Sequence, residues 1–200
     1  IEQIHNLLND FKVIRNKKRK VSTTNLYKLI EGSQRFFGII NDNFSMGYPF
    51  EFIRMGRYME RADMISRILD TLCLSASLNQ MHDFKTLEWA SMLRNLSAQE
   101  AFREESKGEI ERGSVLKFLI QNKGFPRSIS KCLEQIEDCV SSLPNNVLMK
   151  DEIKKTINKN FVAHIDKYDD DKLHIFLQEL QKRLIKLDER IHKSWFLLHS

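Results

Sequence analysis

Near the end of the chain Leu173, Phe176, Leu180, Leu184, Leu187, Ile191, Trp195 and Leu198 follow one another at intervals of 3, 4, 4, 3, 4, 4 and 3 residues. Only a helix near 3.6 residues per turn puts such a series on one side, so the pattern predicts a long terminal helix packed along another helix. Asp169, Asp170 and Asp171 stand before it, where carboxylates cap free amides and complement the helix dipole. Just 7 Gly and 3 Pro occur in 200 residues, too few breaks for many short strands. With 42% hydrophobic residues the chain can bury a sizeable core, and the length fits a single domain over 1–200.

The same reasoning divides the rest of the chain. Ile4, Leu7, Leu8, Phe11 and Ile14 form one face of a first helix, and the cationic stretch Arg15 to Lys20 follows it. Ser22, Thr23 and Thr24 offer caps for a helix ending near Asn41 to Asn43. From Pro49 to Ser77 only Gly56 interrupts good helix formers, which predicts one element of about 28 residues, roughly 42 Å long. Its apolar residues surround much of the axis, Met64 and Ile68 among them, as expected of a central helix with several neighbours. Ser97 with Glu100 has the form of a capping box, Ser114 opens a short apolar helix, and Pro126 starts another that runs through Val140. A further helix spans about Val147 to Phe161. The expected fold is all-α, a bundle of about seven or eight helices with a long central and a long C-terminal helix.

Charge and cysteine usage narrow the function classes. Thirty-two basic residues stand against 27 acidic ones, a net charge of +5, so the surface is mixed and general nucleic-acid binding is not implied. The Arg15 to Lys20 run lacks interleaved aromatics and reads as a solvated connector. Cys73, Cys132 and Cys139 lie in apolar helical patterns without CxxC spacing, as small hydrophobes in a reducing cytoplasm. No apolar run is long enough for a membrane span and no signal pattern is present. The start at Ile1, without a methionine, suggests that further sequence precedes it. The six histidines, His5, His82, His164, His174, His192 and His199, lack HxxxH or HExxH spacing and read as lone surface residues, so no metal or cofactor is expected.

One group of charges stands out. Arg57, Glu60, Arg61, Asp63 and Arg67 lie at helical spacings on a largely apolar helix, where Arg57 can reach Glu60 and Asp63 can reach Arg67. Such charges form a paired network or line a solvated cleft, because a buried charge without a partner is strongly destabilising. Arg127 and Ser128, at the start of the Pro126 helix, form a second candidate anion site, with ordinary capping as its plain alternative.

The segment Met55-Gly56-Arg57-Tyr58-Met59-Glu60-Arg61-Ala62-Asp63, with Arg67, Leu69 and Asp70 beyond it, resembles the signature helix of the bacterial alpha-E family. Phe118-Leu119-Ile120, Pro126-Arg127-Ser128-Ile129 and Cys132-Leu133 are similar to later family segments, as are Trp89 with Leu93 and the terminal helix. Glu111-Arg112 and Glu189-Arg190 repeat the dipeptide without the preceding Gly-Arg. The resemblance implies the C-terminal half of an alpha-E-like protein. It also implies association with an ATP-grasp-type ligase and a transglutaminase-like protein in a pathway of amide or peptide bonds. The expected role is a non-catalytic binding or assembly partner. The alternative is an enzyme acting on an anionic, peptide-like substrate through Glu60 and the arginines.

Overall fold

The computed structural model describes residues 12, 23–43, 45–78, 82–106 and 110–197. The expected first helix, the Arg15 to Lys20 run, the Ser22 cap, His5, His199 and Leu198 lie outside them. The described residues hold eight α-helices, one 3-10 turn and no strand. They fall into two compact units, Ile1–Phe50 and Glu51–Ser200.

In the first unit α1 (Thr23–Asn43) places Phe36 and Phe37 edge to face, ring centroids 5.3 Å apart. Its C-terminal turn is closed by Asn43, whose Nδ2 donates to the Ile39 carbonyl at 3.2 Å.

Helix α2 (Tyr48–Leu78) begins at the boundary and belongs mostly to the second unit. Its 31 residues span about 46 Å without a break. Met55, Met59, Ala62, Ile65, Leu69 and Cys73 form its buried stripe, whereas Met64 and Ile68, expected to be covered as well, are exposed. Then come α3 (His82–Asn95), α4 (Gln99–Ser106), α5 (Arg112–Gln121), α6 (Ile129–Ser141), α7 (Val147–Val162), the 3-10 turn Ile165–Lys167 and α8 (Asp170–Trp195). Helix α5 is enclosed from several sides: Val115, Leu116, Phe118, Leu119 and Ile120 are buried, and α3, α4, α6, α7 and the 3-10 turn all pack against it. Gly113 allows a close approach of the 3-10 turn, since a Cβ there would lie 3.2 Å from the Asp166 carbonyl oxygen. Arg112 fastens the same junction, donating to the Tyr168 carbonyl at 2.6 Å and to Asp170 at 2.8 Å.

Helix α6 buries Ile129, Cys132, Leu133, Ile136, Cys139 and Val140, the expected inner stripe and more. Asn160, fully buried on α7, donates to the Ile120 carbonyl at 3.1 Å and to Ser130 Oγ at 2.7 Å, which ties α5, α6 and α7 together. The terminal helix keeps its predicted seam: Leu173, Leu180, Leu184, Leu187 and Ile191 are buried, with Leu177 added to them. Asp169 caps it by accepting from the Lys172 amide at 2.8 Å. α8 runs antiparallel to α2: Phe52, near the start of α2, packs against Trp195 at the end of α8, centroids 5.7 Å apart.

Three expected helix starts move. Ser97 has a positive φ of 51° and closes α3, while the Ala98 amide donates back to Leu93, so the capping box does not form. α5 begins two residues before Ser114, with Glu111 at its N-cap. Pro126 lies in the turn, and Ser128 caps α6. Among the described residues no helix is long and apolar enough to cross a membrane.

Candidate functional site

Adjacent residues of a helix point about 100° apart, and this divides the charged segment of α2 between two faces. Arg57 and Arg61, one turn apart, share the first. Glu60, Asp63 and Arg67 share the second, toward α8.

On the first face Arg57 and Arg61 are joined by Arg127, and all three are half-buried. Arg127 is brought there by a tight turn in which Asn122 Oδ1 accepts from the Gly124 and Phe125 amides at 2.7 and 2.6 Å. Its Nη1 donates to the Leu96 carbonyl at 2.7 Å, linking the end of α3 to the start of α6. The Arg61 guanidinium lies over the Tyr58 ring, 5.7 Å from the centroid. Burial, and with it the like charges of Arg61 and Arg127, push the Arg57 guanidinium down from its ordinary value, against the opposing influence of Tyr58. Among the described residues neither Arg61 nor Arg127 has a carboxylate within 4 Å. A cluster of like charges partly withdrawn from water attracts an anion, and guanidinium forks suit carboxylate and phosphate. Ser128 takes no part: it is fully buried, its Oγ accepts from the Lys131 amide at 3.0 Å and donates to the Asn122 carbonyl, and the hydroxyl is used up in capping.

On the second face Gly56, Met59, Glu60, Asp63 and Arg67 line a groove of about 280 Å³ against Leu184, Ile185 and Asp188 of α8. Arg67 Nε donates to Asp63 at 2.7 Å, as expected. Glu60 is exposed and, among the described residues, makes no hydrogen bond or ion pair, so the expected Arg57–Glu60 pair does not form. Among the described residues a Cβ on Gly56 would meet nothing within 4 Å, so their packing does not require this glycine.

Further along the second face lies an arrangement that sequence reasoning missed. Asp70 is buried, and both of its oxygens are taken up by α8, Oδ1 by His174 Nδ1 at 2.5 Å and Oδ2 by Gln178 Nε2 at 2.8 Å. His174 is therefore not the lone surface histidine expected. The available signal was that His174 and Gln178, one turn apart, flank the apolar seam of α8.

Cys73, Cys132 and Cys139 are buried, as expected, and form no disulfide among the described residues. Burial pushes their thiols up to about 11, about 11 and about 12, well above neutral pH. Only the thiolate reacts readily. The native protein should therefore show negligible reaction with a disulfide reagent such as Ellman's at pH 7.5, and all three thiols should titrate once it is unfolded in guanidinium. Among the described residues no group of three or more His, Cys, Asp or Glu side chains is placed to hold a metal ion.

A family profile described as Alpha-E, a predicted alpha-helical domain with a conserved ER motif, matches residues 1–196. The match covers essentially the whole chain rather than a C-terminal portion of it. No curated protein and no solved structure gives a significant match.

Proposed function

The chain belongs to the Alpha-E family, and on that premise we propose that the arginine face of α2 is a recognition element, which binds the carboxylates of a peptide-like ligand or of a partner protein. The observation that carries this reading is the convergence of Arg57, Arg61 and Arg127, three half-buried guanidiniums drawn from two distant parts of the chain. In this reading the ER motif is Glu60-Arg61, and its arginine does the binding. Through this face, which is not itself catalytic, the protein acts as a binding or assembly partner of an ATP-grasp-type ligase and a transglutaminase-like enzyme in the bacterial cytoplasm, on the associations that accompany the family resemblance.

The alternative, an enzyme that uses Glu60 together with the arginines on one anionic substrate, is served less well. Glu60 opens on the α8 groove, while Arg57 and Arg61 turn toward Arg127. Glu60, about 60° around the helix from Arg57 and about 100° from Arg61, lies on the side of the α8 groove and does not share the ligand of the arginines.

The test is a calorimetric titration of the full chain with a hexaglutamate peptide at low salt, together with co-purification of the ATP-grasp-type enzyme encoded nearest to it. The double variant Arg61→Gln, Arg127→Gln should bind the peptide at least about tenfold more weakly, a change of about 1.4 kcal/mol, and should lose the enzyme, with its helical circular dichroism retained. Undiminished binding by that folded variant would overturn the reading. Loss of binding in Glu60→Gln alone would favour the enzyme.

A further inference from the structure

The polar strip between α2 and α8 ends in a group that the arginine face does not use. Asp70 is 7% exposed, so its carboxylate is held by the helices around it and not by water. Its two oxygens meet two side chains of α8 one turn apart, His174 and Gln178. The Gln178 amide prevents the carboxylate from rotating, and the carboxylate in turn fixes the imidazole, because Nδ1 must present its hydrogen to Asp70 Oδ1 at 2.5 Å. In the neutral ring the lone pair then resides on Nε2. The His174 side chain is 37% exposed, and among the described residues its Nε2 has no hydrogen-bond partner.

A bond that only joined two helices would be satisfied by Asp70 and Gln178. A histidine with one nitrogen locked on a buried carboxylate and the other open to solvent has what proton transfer requires: a fixed tautomer, a fixed ring plane and an accessible base. Of the other histidines whose side chains are described, His192 stacks on Phe196, centroids 6.1 Å apart, and His164 is exposed and has no carboxylate partner among the described residues. Cys73, one turn beyond Asp70, is buried and is no candidate for the attacking group.

We propose that His174 is a proton-accepting site for hydrolysis of an acyl bond, an ester or amide carbonyl, with Asp70 as its positioning residue. Nε2 takes a proton from water as the water oxygen bonds to the acyl carbon. The same proton passes to the departing oxygen or nitrogen as that bond breaks, so the products are a carboxylic acid and an alcohol or amine, and the imidazole is restored. Arg67, one turn before Asp70 on the same face and 51% exposed, borders the strip in its ion pair with Asp63. This goes beyond the binding role of the arginine face, and neither depends on the other.

The test uses the full chain and two probes. With p-nitrophenyl acetate, His174→Gln should lower the hydrolysis rate by about tenfold or more, and Asp70→Asn should lower kcat with KM little changed, since the variant keeps the ring but weakens its orientation. With diethyl pyrocarbonate, mass spectrometry of the unmutated protein should find His174 modified several-fold faster than His164, and Asp70→Asn should abolish that advantage. Equal hydrolysis by the unmutated protein and a folded His174→Gln variant would overturn the proposal, as would modification of His174 no faster than of His164. Should the variants fail to fold, the comparison of His174 with His164 in the unmutated protein decides by itself.

Discussion

Leu133→Ala is expected to lower the unfolding free energy by about 2–5 kcal/mol, the range for a buried leucine truncated in a core that cannot close over the gap. Leu133 is fully buried in α6, and its neighbours there, Ile129, Cys132, Ile136 and Val140, are equally enclosed and anchored by their own contacts. Helix α6 also packs on both α5 and α7, so no single element is free to move inward. Urea unfolding followed by fluorescence of the buried Trp89 should give a lower midpoint at unchanged slope, which is the mark of lost stability without a change in the surface exposed on unfolding. A midpoint shift worth less than about 1 kcal/mol would mean that the core around α6 is more adaptable than its burial implies.

Ala62→Leu should cost about 1–3 kcal/mol, for the opposite reason. Ala62 follows the Glu60-Arg61 pair and is fully buried on the packed stripe of α2, between Met59 and Ile65. Three added carbons have no room and must displace a neighbour from its preferred rotamer. Glu60→Gln, on the exposed side of the same turn, should stay within about 0.5 kcal/mol of the parent. Thermal unfolding of the two variants side by side separates the part of the motif that the fold requires from the part that faces outward. Equal stability of both would place Ala62 in a site with spare volume.

The helices were legible because their packing is repetitive. The seam of α8 can be read from spacing alone, and Leu177 escaped only because the buried stripe is wider than a strict 3-4 alternation. Helix ends were harder. A hydroxyl residue three before a glutamate signals an N-cap, yet Ser97 instead takes the left-handed turn that ends the preceding helix, a choice made by backbone bonds to Leu93 and Arg94. The site was legible only as far as one helix can show it. Spacing paired Asp63 with Arg67 correctly, but it paired Arg57 with Glu60, and it could not show that Arg57 lies instead with Arg61 and Arg127. Nor could it show that Asp70 meets His174 across 104 positions of sequence. These partners are chosen by the packing of α2 against α6 and α8, and local pattern carries no information about that.

The uninterrupted run of α2 also means that the rest of the molecule reads the motif as an angle. Glu60 and Arg61 belong to different faces because the helix holds them a fixed rotation apart, like two cams keyed to one shaft. Deleting a single residue between Asp63 and Asp70, where α8 grips the helix, would leave every letter of the Glu-Arg pair in place. It would also turn the pair by about 100°, carrying the guanidiniums away from Arg127. Within such a helix, changes of length upset function more than many changes of side chain.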